Sequence, residues 1–348
     1  MYFDCALMQC CELLDEIRSW AHRLSTASNP TKEGFVTWIL RQAGAGALRI
    51  PLDWPSRRLE YWGGKLNLYS FRKTQYSEDT IRVFLGVLQR LETIYPKGFF
   101  WGLSVEDFDW GLLWRSQVPP VRRESFPTWS WAGWRGPLFF GQPIDVKKTR
   151  RFPIDLEINR FVSGQLKQIF ATKCDSHTTG DGVCIAIRND PIYRAARVEL
   201  SGPELHLQQP LSGEEACYLV IAGVFLHFTP NFETPLSGNY QSGVYETFSF
   251  KIKGVRCLIR ITSTDRWIPG QWSSDRWVLD KQKQEEWTCI LIARDYLQGF
   301  ILNHLMLVKM QTTNSIAERA TVFELLIPLD ELDILQEFQP RKRQIILA

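Results

Sequence analysis

The chain has 348 residues, of which 45% are hydrophobic and 23% charged, and this composition excludes disordered and fibrous proteins. The 41 basic and 38 acidic residues leave a formal charge of +3, which gives no electrostatic argument for a nucleic-acid or membrane ligand. A length of this order predicts two domains. The 14 tryptophans favour well-packed cores or binding surfaces.

The sequence also predicts a cytoplasmic protein, with the nucleus as the alternative compartment. No basic segment precedes an apolar one near Met1, so a secretory signal is not expected. The longest uncharged apolar stretches, 216–228 and 296–308, are too short to span a bilayer. The eight cysteines have no paired spacing and are expected to be buried thiols in a reducing compartment.

The first third of the chain is predicted to be helical, because apolar residues recur there at steps of three and four. Helices are expected over 13–24, 58–69 and 77–94, the last with Ser77 as its N-cap. A shorter helix is expected to begin at Ser104. An apolar face is expected in the third helix, formed by Ile81, Phe84, Leu85, Leu88 and Leu91. In the short helix, Phe108, Leu112 and Arg115 are expected on one side.

From Pro119 onward the apolar period shifts to about 2, which is typical of strands with one buried face. The fold class predicted is therefore α+β. A helical region, residues 1–118, precedes a larger antiparallel β-rich domain, residues 119–348, built as a sandwich or open barrel. A late helix is expected over 329–338, with a closing strand over 345–347. The other predicted strands are 154–158, 183–188, 197–207, 218–228, 248–252, 255–261, 287–294, 303–310 and 320–327.

The segment from Trp129 to Trp134 has the most distinctive sequence, Trp-Ser-Trp-Ala-Gly-Trp. Read as a strand of the β-rich domain, it places the indoles of Trp129 and Trp131 on one face, which a one-sided sheet buries in its core. The alternative is a module that stacks exposed tryptophans on glycans or bases.

Motifs for catalysis and cofactor binding are weak, and we predict no catalytic or cofactor-binding residue. Gly44–Arg49 begins like a dinucleotide loop but lacks the third glycine and a preceding strand. The carboxylates of Glu106, Asp107 and Asp109 fall in the first turn of a predicted helix, where the helix dipole favours acidic residues. The five histidines have no local partner pattern.

No metal ligand is predicted either. Cys174, His177 and Cys184 could supply soft ligands, but structural zinc sites use two tight ligand pairs and only one occurs here. The basic runs 147–151 and 341–343 lack interleaved aromatic residues. They are interpreted as solvated loop or strand-edge residues rather than phosphate or nuclear-import patches.

The stretch 69–134 resembles the region that follows the conserved domain in fungal heterokaryon-incompatibility (HET domain) proteins. The start of the chain, Tyr2-Phe3 and Cys5, resembles the sequence just past that domain. The matching pieces are Tyr69-Ser70-Phe71-Arg72, Tyr76, Asp79, Phe99–Leu103, Phe108–Arg115, Arg122-Arg123 and Phe126–Trp134.

The HET domain itself, to which the family's proposed signalling or nucleotide chemistry belongs, is not found in this sequence. The resemblance therefore implies a non-enzymatic accessory or regulatory module, from a truncated gene model or a shortened paralogue, linked to nonself recognition and programmed cell death. Its expected partner is another protein, with a HET-domain relative as one candidate. No small molecule, nucleic acid or membrane is expected. The alternatives are an enzyme with a cryptic site in the β-rich domain and the tryptophan-stacking module.

Overall fold

The protein is described by a computed structural model, which covers the greater part of the chain after residue 57. The residues described are 2–5, 8–11, 58–70, 76–92, 94–116, 120–140, 150–152, 154–162, 165–172, 190–196, 217–230, 232–235, 245–262, 270–273, 276–279, 286–297, 299–310 and 316–348. The predictions for the helix 13–24, the loop 44–49, the run 147–151, the strands 183–188 and 197–207, and Cys174, His177 and Cys184 fall wholly or mostly outside these residues.

Helices occupy two of the predicted segments in the first third of the chain. The helix predicted over 58–69 is observed at 58–70, and the one predicted over 77–94 begins with a 3-10 turn and ends at Leu91. The α-helices are α1 (Arg58–Ser70), α2 (Thr80–Leu91), α3 (Phe108–Gly111) and α4 (Pro191–Ala196), and the 3-10 helices are Ser77–Asp79, Trp131–Gly133 and Leu329–Phe338.

The buried face of α2 was predicted correctly except at Leu85. Phe84, Leu88 and Leu91 are buried, whereas Leu85 is 44% exposed. A buried stripe that continues at steps of three and four from Phe84 leaves Leu85 about 100° away around the helix. The proposed N-cap was also wrong, because Asp79 precedes the first residue of α2 and the Ser77 position belongs to the 3-10 turn.

The short helix begins later than predicted. Ser104 ends a strand, and its Oγ accepts a long hydrogen bond of 3.4 Å from the backbone N–H of Asp107. This bond shapes the turn ahead of α3, which begins at Phe108. Ser104 therefore stabilises the approach to the helix instead of forming its first turn.

Strands make up most of the remainder, as the alternating pattern predicted. The first two form a hairpin near the start of the chain, where a sequence reading gave no strand. The strands are β1 (Tyr2–Cys5), β2 (Met8–Cys11), β3 (Phe99–Phe100), β4 (Leu103–Ser104), β5 (Trp114–Ser116), β6 (Val121–Arg122), β7 (Trp134–Arg135), β8 (Leu138–Phe140), β9 (Arg150–Phe152), β10 (Leu156–Val162), β11 (Gln165–Thr172), β12 (Leu219–Phe228), β13 (Phe232–Pro235), β14 (Tyr245–Ile252), β15 (Val255–Thr262), β16 (Gly270–Ser273), β17 (Arg276–Leu279), β18 (Trp287–Leu297), β19 (Phe300–Met310), β20 (Ile316–Pro328) and β21 (Arg341–Leu347).

One large sheet dominates the described part of the chain, and its order is β11–β10–β12–β18–β19–β20–β15–β14–β13. Strand β9 pairs with β18, and β21 pairs with both β12 and β20. The strands β12, β18, β19, β20 and β21 thus form a closed circuit of hydrogen-bonded neighbours. The ladders are antiparallel except for the short contact of β20 with β21, so the predicted predominance of antiparallel β structure is confirmed.

The two faces of this sheet are covered by different elements. On the face that we call inner, Phe228, Phe250 and Phe323 form an aromatic cluster that Phe338 joins through Phe228 and Phe250. Phe338 ends the segment Leu329–Phe338, where a helix was predicted and 3-10 structure interrupted by a kink at Glu331 is observed. After the kink, apolar residues at steps of three, Leu332, Leu335 and Phe338, align on one side of the 3-10 helix and are buried. The outer face is covered in part by the segment 108–116.

The Trp-Ser-Trp-Ala strand predicted for residues 129–132 is not a strand. Trp129 lies in a turn, and Trp131–Gly133 form a 3-10 helix. The Ser130 side chain caps this helix, because its Oγ accepts a hydrogen bond from the backbone N–H of Ala132 at 3.1 Å. Both indoles are nevertheless buried, at 0% and 1% exposure, as predicted. Pro127 and Gly133, which flank the segment, favour a turn over a strand.

Candidate functional site

A cluster of buried charged side chains lies on the outer face of the sheet. Arg260 on β15, Glu324 on β20 and His304 on β19 are direct cross-strand partners in turn, so their side chains share this face. Asp295 on β18 lies diagonally across from His304, and Arg115 reaches the cluster from β5. Together these five residues are called the ionic cluster.

Glu324 lies at the centre of the ionic cluster. Its Oε1 accepts a hydrogen bond from Nη2 of Arg115 at 2.9 Å, and its Oε2 lies 2.6 Å from Nε of Arg260. The His304 ring lies on the other side, with Nε2 2.9 Å from Oδ2 of Asp295 and Nδ1 3.8 Å from Oε1 of Glu324. His304 is thus within hydrogen-bonding distance of Asp295 but not of Glu324.

Electrostatics keep Glu324 ionised in spite of its burial. Desolvation is the largest influence and raises the pKa of Glu324, but Arg115, Arg260 and His304 lower it, and the net pKa is below its ordinary value of 4.5. A buried carboxylate is stable as an anion only when cations and hydrogen bonds compensate the lost water. The two arginines provide that compensation here.

The segment 108–116 brings both an arginine and an aromatic ring to the cluster. The Trp110 indole of α3 lies over the His304 ring, with centroids 5.1 Å apart. Arg115 follows on β5, which pairs with β8. Because Trp110, Arg115, His304 and Glu324 are each no more than 4% exposed, the segment seals the outer face at this point.

Indole N–H groups connect the tryptophan-rich residues 129–134 to several backbone segments, and one such bond comes from the segment 108–116. Trp114 Nε1 donates to the carbonyl of Trp129 at 2.9 Å, and Trp134 Nε1 donates to the carbonyl of Thr128 at 2.8 Å. Trp129 Nε1 donates to Cys217 O at 3.0 Å, and Trp131 Nε1 donates to Gly102 O at 3.0 Å. These indole groups serve the packing of backbone segments against one another.

Three arginines complete this packing. Arg122 donates to the carbonyls of Gly133 and Phe126, and Arg123 donates to the carbonyls of Ala132 and Trp134. Arg319 of β20 lies over the Trp114 ring at 3.5 Å from its centroid and donates to the Trp114 carbonyl. Arg122 and Arg123 thus bind the backbone of the tryptophan-rich residues, and Arg319 connects Trp114 to β20.

A second buried ion pair lies outside the ionic cluster. Arg294 of β18 contacts Asp190, with Nη2 2.7 Å from Oδ2 and both side chains no more than 2% exposed. The other carboxylate oxygen of Asp190 accepts from the backbone N–H of Tyr193 at 2.8 Å, which caps α4. This ion pair fastens α4 to the sheet.

The predicted carboxylate group at 106–109 has no shared site. Glu106 accepts from the backbone N–H of Lys97 at 2.5 Å, while Asp107 and Asp109 are buried around α3. Within the described residues, no three Cys, His, Asp or Glu side chains come together in a way that could hold a metal ion.

Cys257 and Cys289 are buried, which raises the pKa of Cys257 to about 12 and that of Cys289 well above its ordinary value. Neither thiol is a nucleophile near neutral pH.

The ionic cluster escaped sequence reasoning because its members come from four strands and the segment 108–116. The five histidines were judged singly, and the partners of His304 are set by the register of β18, β19 and β20. A signal was present nonetheless. Glu324 interrupts the apolar run 322–327, which is typical of a strand buried on both faces, and a charged residue within such a strand needs a buried partner.

Comparison of the chain with protein-family models, with curated proteins and with solved structures finds no match. Among the helices that the structure describes, none has the length and apolar character needed to cross a membrane.

Chemically, the ionic cluster combines a histidine–carboxylate contact, which general bases use, with near-complete burial. The charge of Glu324 is compensated internally by Arg115 and Arg260, and the carboxylate of Asp295 contacts Nε2 of His304. Such an arrangement holds elements in register, because removing one partner leaves the other charge buried and unpaired.

Proposed function

We propose that this chain is a non-enzymatic interaction module of a heterokaryon-incompatibility-like protein, acting by contact with a protein partner. The observation that carries the proposal is that the buried polar side chains described above bond to other parts of the protein. The ionic cluster and the indole N–H groups of Trp114, Trp129, Trp131 and Trp134 bond within the protein, where they fasten the segment 108–116 to the sheet and residues 128–134 to neighbouring backbone. A rigid scaffold of this kind suits the presentation of a binding surface.

The resemblance supplies the biological setting of the proposal. Within the stretch that resembles the HET-domain family, 69–134, the residues Trp110, Trp114 and Arg115 contact the sheet. The resemblance links them to fungal nonself recognition and programmed cell death. The partner we propose is a HET-domain protein, met in the cytoplasm, with the nucleus as the alternative compartment.

One observation favours a second candidate, an enzyme with its site in the β-rich part. Nε2 of His304 lies 2.9 Å from Oδ2 of Asp295, a contact that orients the histidine in many general-base sites. The interaction module is favoured because His304 and Asp295 are almost completely buried and the Trp110 indole covers the His304 ring. The stacking module has less support, because Trp129 and Trp131 present no ring face to solvent.

Expression in fungal cells tests the proposal against the enzyme. The chain alone should leave viability unchanged and, when purified, should not consume NAD, whereas its expression with a HET-domain protein should alter the killing by that protein. Turnover or killing by the chain alone, lost in His304→Ala but kept in the matched surface variant Lys251→Ala, would establish the enzyme instead. Circular dichroism of each variant confirms that it is folded.

A further inference from the structure

The basic run Arg341-Lys342-Arg343 lies on β21, where the alternation of the strand divides it between the two faces of the sheet. Lys342 is used internally, since its Nζ donates to the Ala196 carbonyl at 3.0 Å and lies 3.8 Å from Oδ2 of Asp155. Arg341 and Arg343 project from the opposite face, and both are exposed. Neither forms an ion pair with another residue in the part of the chain that the structure describes.

His227 of the neighbouring strand borders the two arginines on the same face. Arg343 is the cross-strand partner of Gly223 and Arg341 that of Phe225, so His227, two residues farther along β12, lies on the same face and diagonal to Arg341. Its Nδ1 contacts Thr288 Oγ1 at 3.1 Å. Burial lowers the pKa of His227, as do Arg343 and Arg341, and Glu286 opposes them, which places these charges near the ring. The ring is therefore uncharged near neutral pH, and we call the two arginines, Arg341 and Arg343, the basic patch.

The spacing of the basic patch selects a kind of partner. Residues two apart on a strand are about 6.6–6.8 Å apart, and so are side chains two apart on an extended peptide. An extended segment with carboxylates at positions i and i+2 can therefore place one carboxylate opposite each guanidinium. Arginine suits this use, because its planar guanidinium donates two parallel hydrogen bonds to one carboxylate.

We propose that the basic patch binds an extended acidic segment of the partner protein, with carboxylates at alternate positions meeting Arg341 and Arg343. This inference rests on the proposed function, since it names the chemistry by which the interaction module recognises its partner. It adds a role to residues 341–343, where the sequence predicted solvated loop or strand-edge residues and where Arg341 and Arg343 are exposed while Lys342 bonds within the protein. Strand β21 is flanked by β12 along its length and by β20 at its end, and its arginines form an ordered pair.

The test uses the full chain and the fluorescein-labelled peptide GSESESG, whose glutamates are two apart. Fluorescence anisotropy at low ionic strength should show saturable binding, and the peptide GSEESSG, with adjacent glutamates that point to opposite sides, should bind about fivefold or more weakly. The double variant Arg341→Gln, Arg343→Gln should weaken binding of GSESESG about tenfold or more.

The matched control is Lys251→Gln, Arg256→Gln. These two exposed residues are direct cross-strand partners on β14 and β15, so the variant loses the same charge from another part of the sheet. The inference would be overturned if both double variants lost the same binding affinity, or if the two glutamate peptides bound equally well. It would also be overturned by tighter binding of a single-stranded DNA oligomer than of GSESESG, or by the absence of saturable binding. If the chain still binds a HET-domain protein in that case, the proposed function stands and only its recognition chemistry falls.

Discussion

At the scale of single residues, Trp131 shows how the aromatic segment is held. Its ring meets Phe84 edge-on at 5.5 Å, and it lies so close to Gly102 that a Cβ there would come within 2.6 Å of Nε1. Gly102 also has a φ of +79°, a conformation that side chains with a Cβ rarely adopt. Gly102 therefore allows the indole to approach the backbone carbonyl that it binds.

Removing this ring should destabilise the fold. We expect Trp131→Ala to lower the free energy of unfolding by about 3–5 kcal/mol, because a large buried ring and its hydrogen bond are lost. Val83→Ala, at a residue 57% exposed, should change it by no more than about 0.5 kcal/mol. Urea unfolding measures both, and similar small changes in the two variants would contradict the packing described for Trp131.

Glu324 makes stability depend on pH in a defined direction. Its folded-state pKa is lowered below 4.5, so its contribution is complete above that pH and is lost as pH falls through the lowered value. Glu324→Gln should cost about 3–5 kcal/mol near pH 7. The difference in unfolding free energy between Glu324→Gln and the native chain should narrow as pH falls below about 4.5 and through the lowered pKa of Glu324, because the native carboxyl then takes up a proton. Unfolding midpoints measured between pH 3 and 7 would refute this account if that difference stayed constant.

At the scale of elements, the ionic cluster joins the segment 108–116 to β20. A double-mutant cycle with Arg115→Ala and Glu324→Ala should give a coupling energy of about 2–3 kcal/mol, because both side chains are buried. The control cycle uses Arg82 and Asp79, whose side chains are 80% and 34% exposed at 3.3 Å. It should give about 0.5 kcal/mol or less. Equal couplings would mean that the cluster does not hold the two elements together.

At the scale of the whole molecule, sequence patterns predicted elements better than their assembly. The alternation of Cys257, Ile259 and Ile261 predicted the inward face of β15 correctly, because strand period and burial are local properties. The partners of Arg260 follow from the register between β15 and β20, which no local pattern specifies. The burial of Trp129 and Trp131 was predicted for the wrong reason, since a turn and a 3-10 helix bury them and no strand does.

The central claim, that this chain acts by contact, is tested most directly by its equilibrium binding to a purified HET-domain protein. Titration calorimetry should give a saturable isotherm with a defined stoichiometry. Trp131→Ala, studied under conditions where it remains folded, should bind with reduced affinity if the scaffold orders the binding surface. Absence of binding at concentrations far above physiological ones, together with NAD consumption by the isolated chain, would contradict the account.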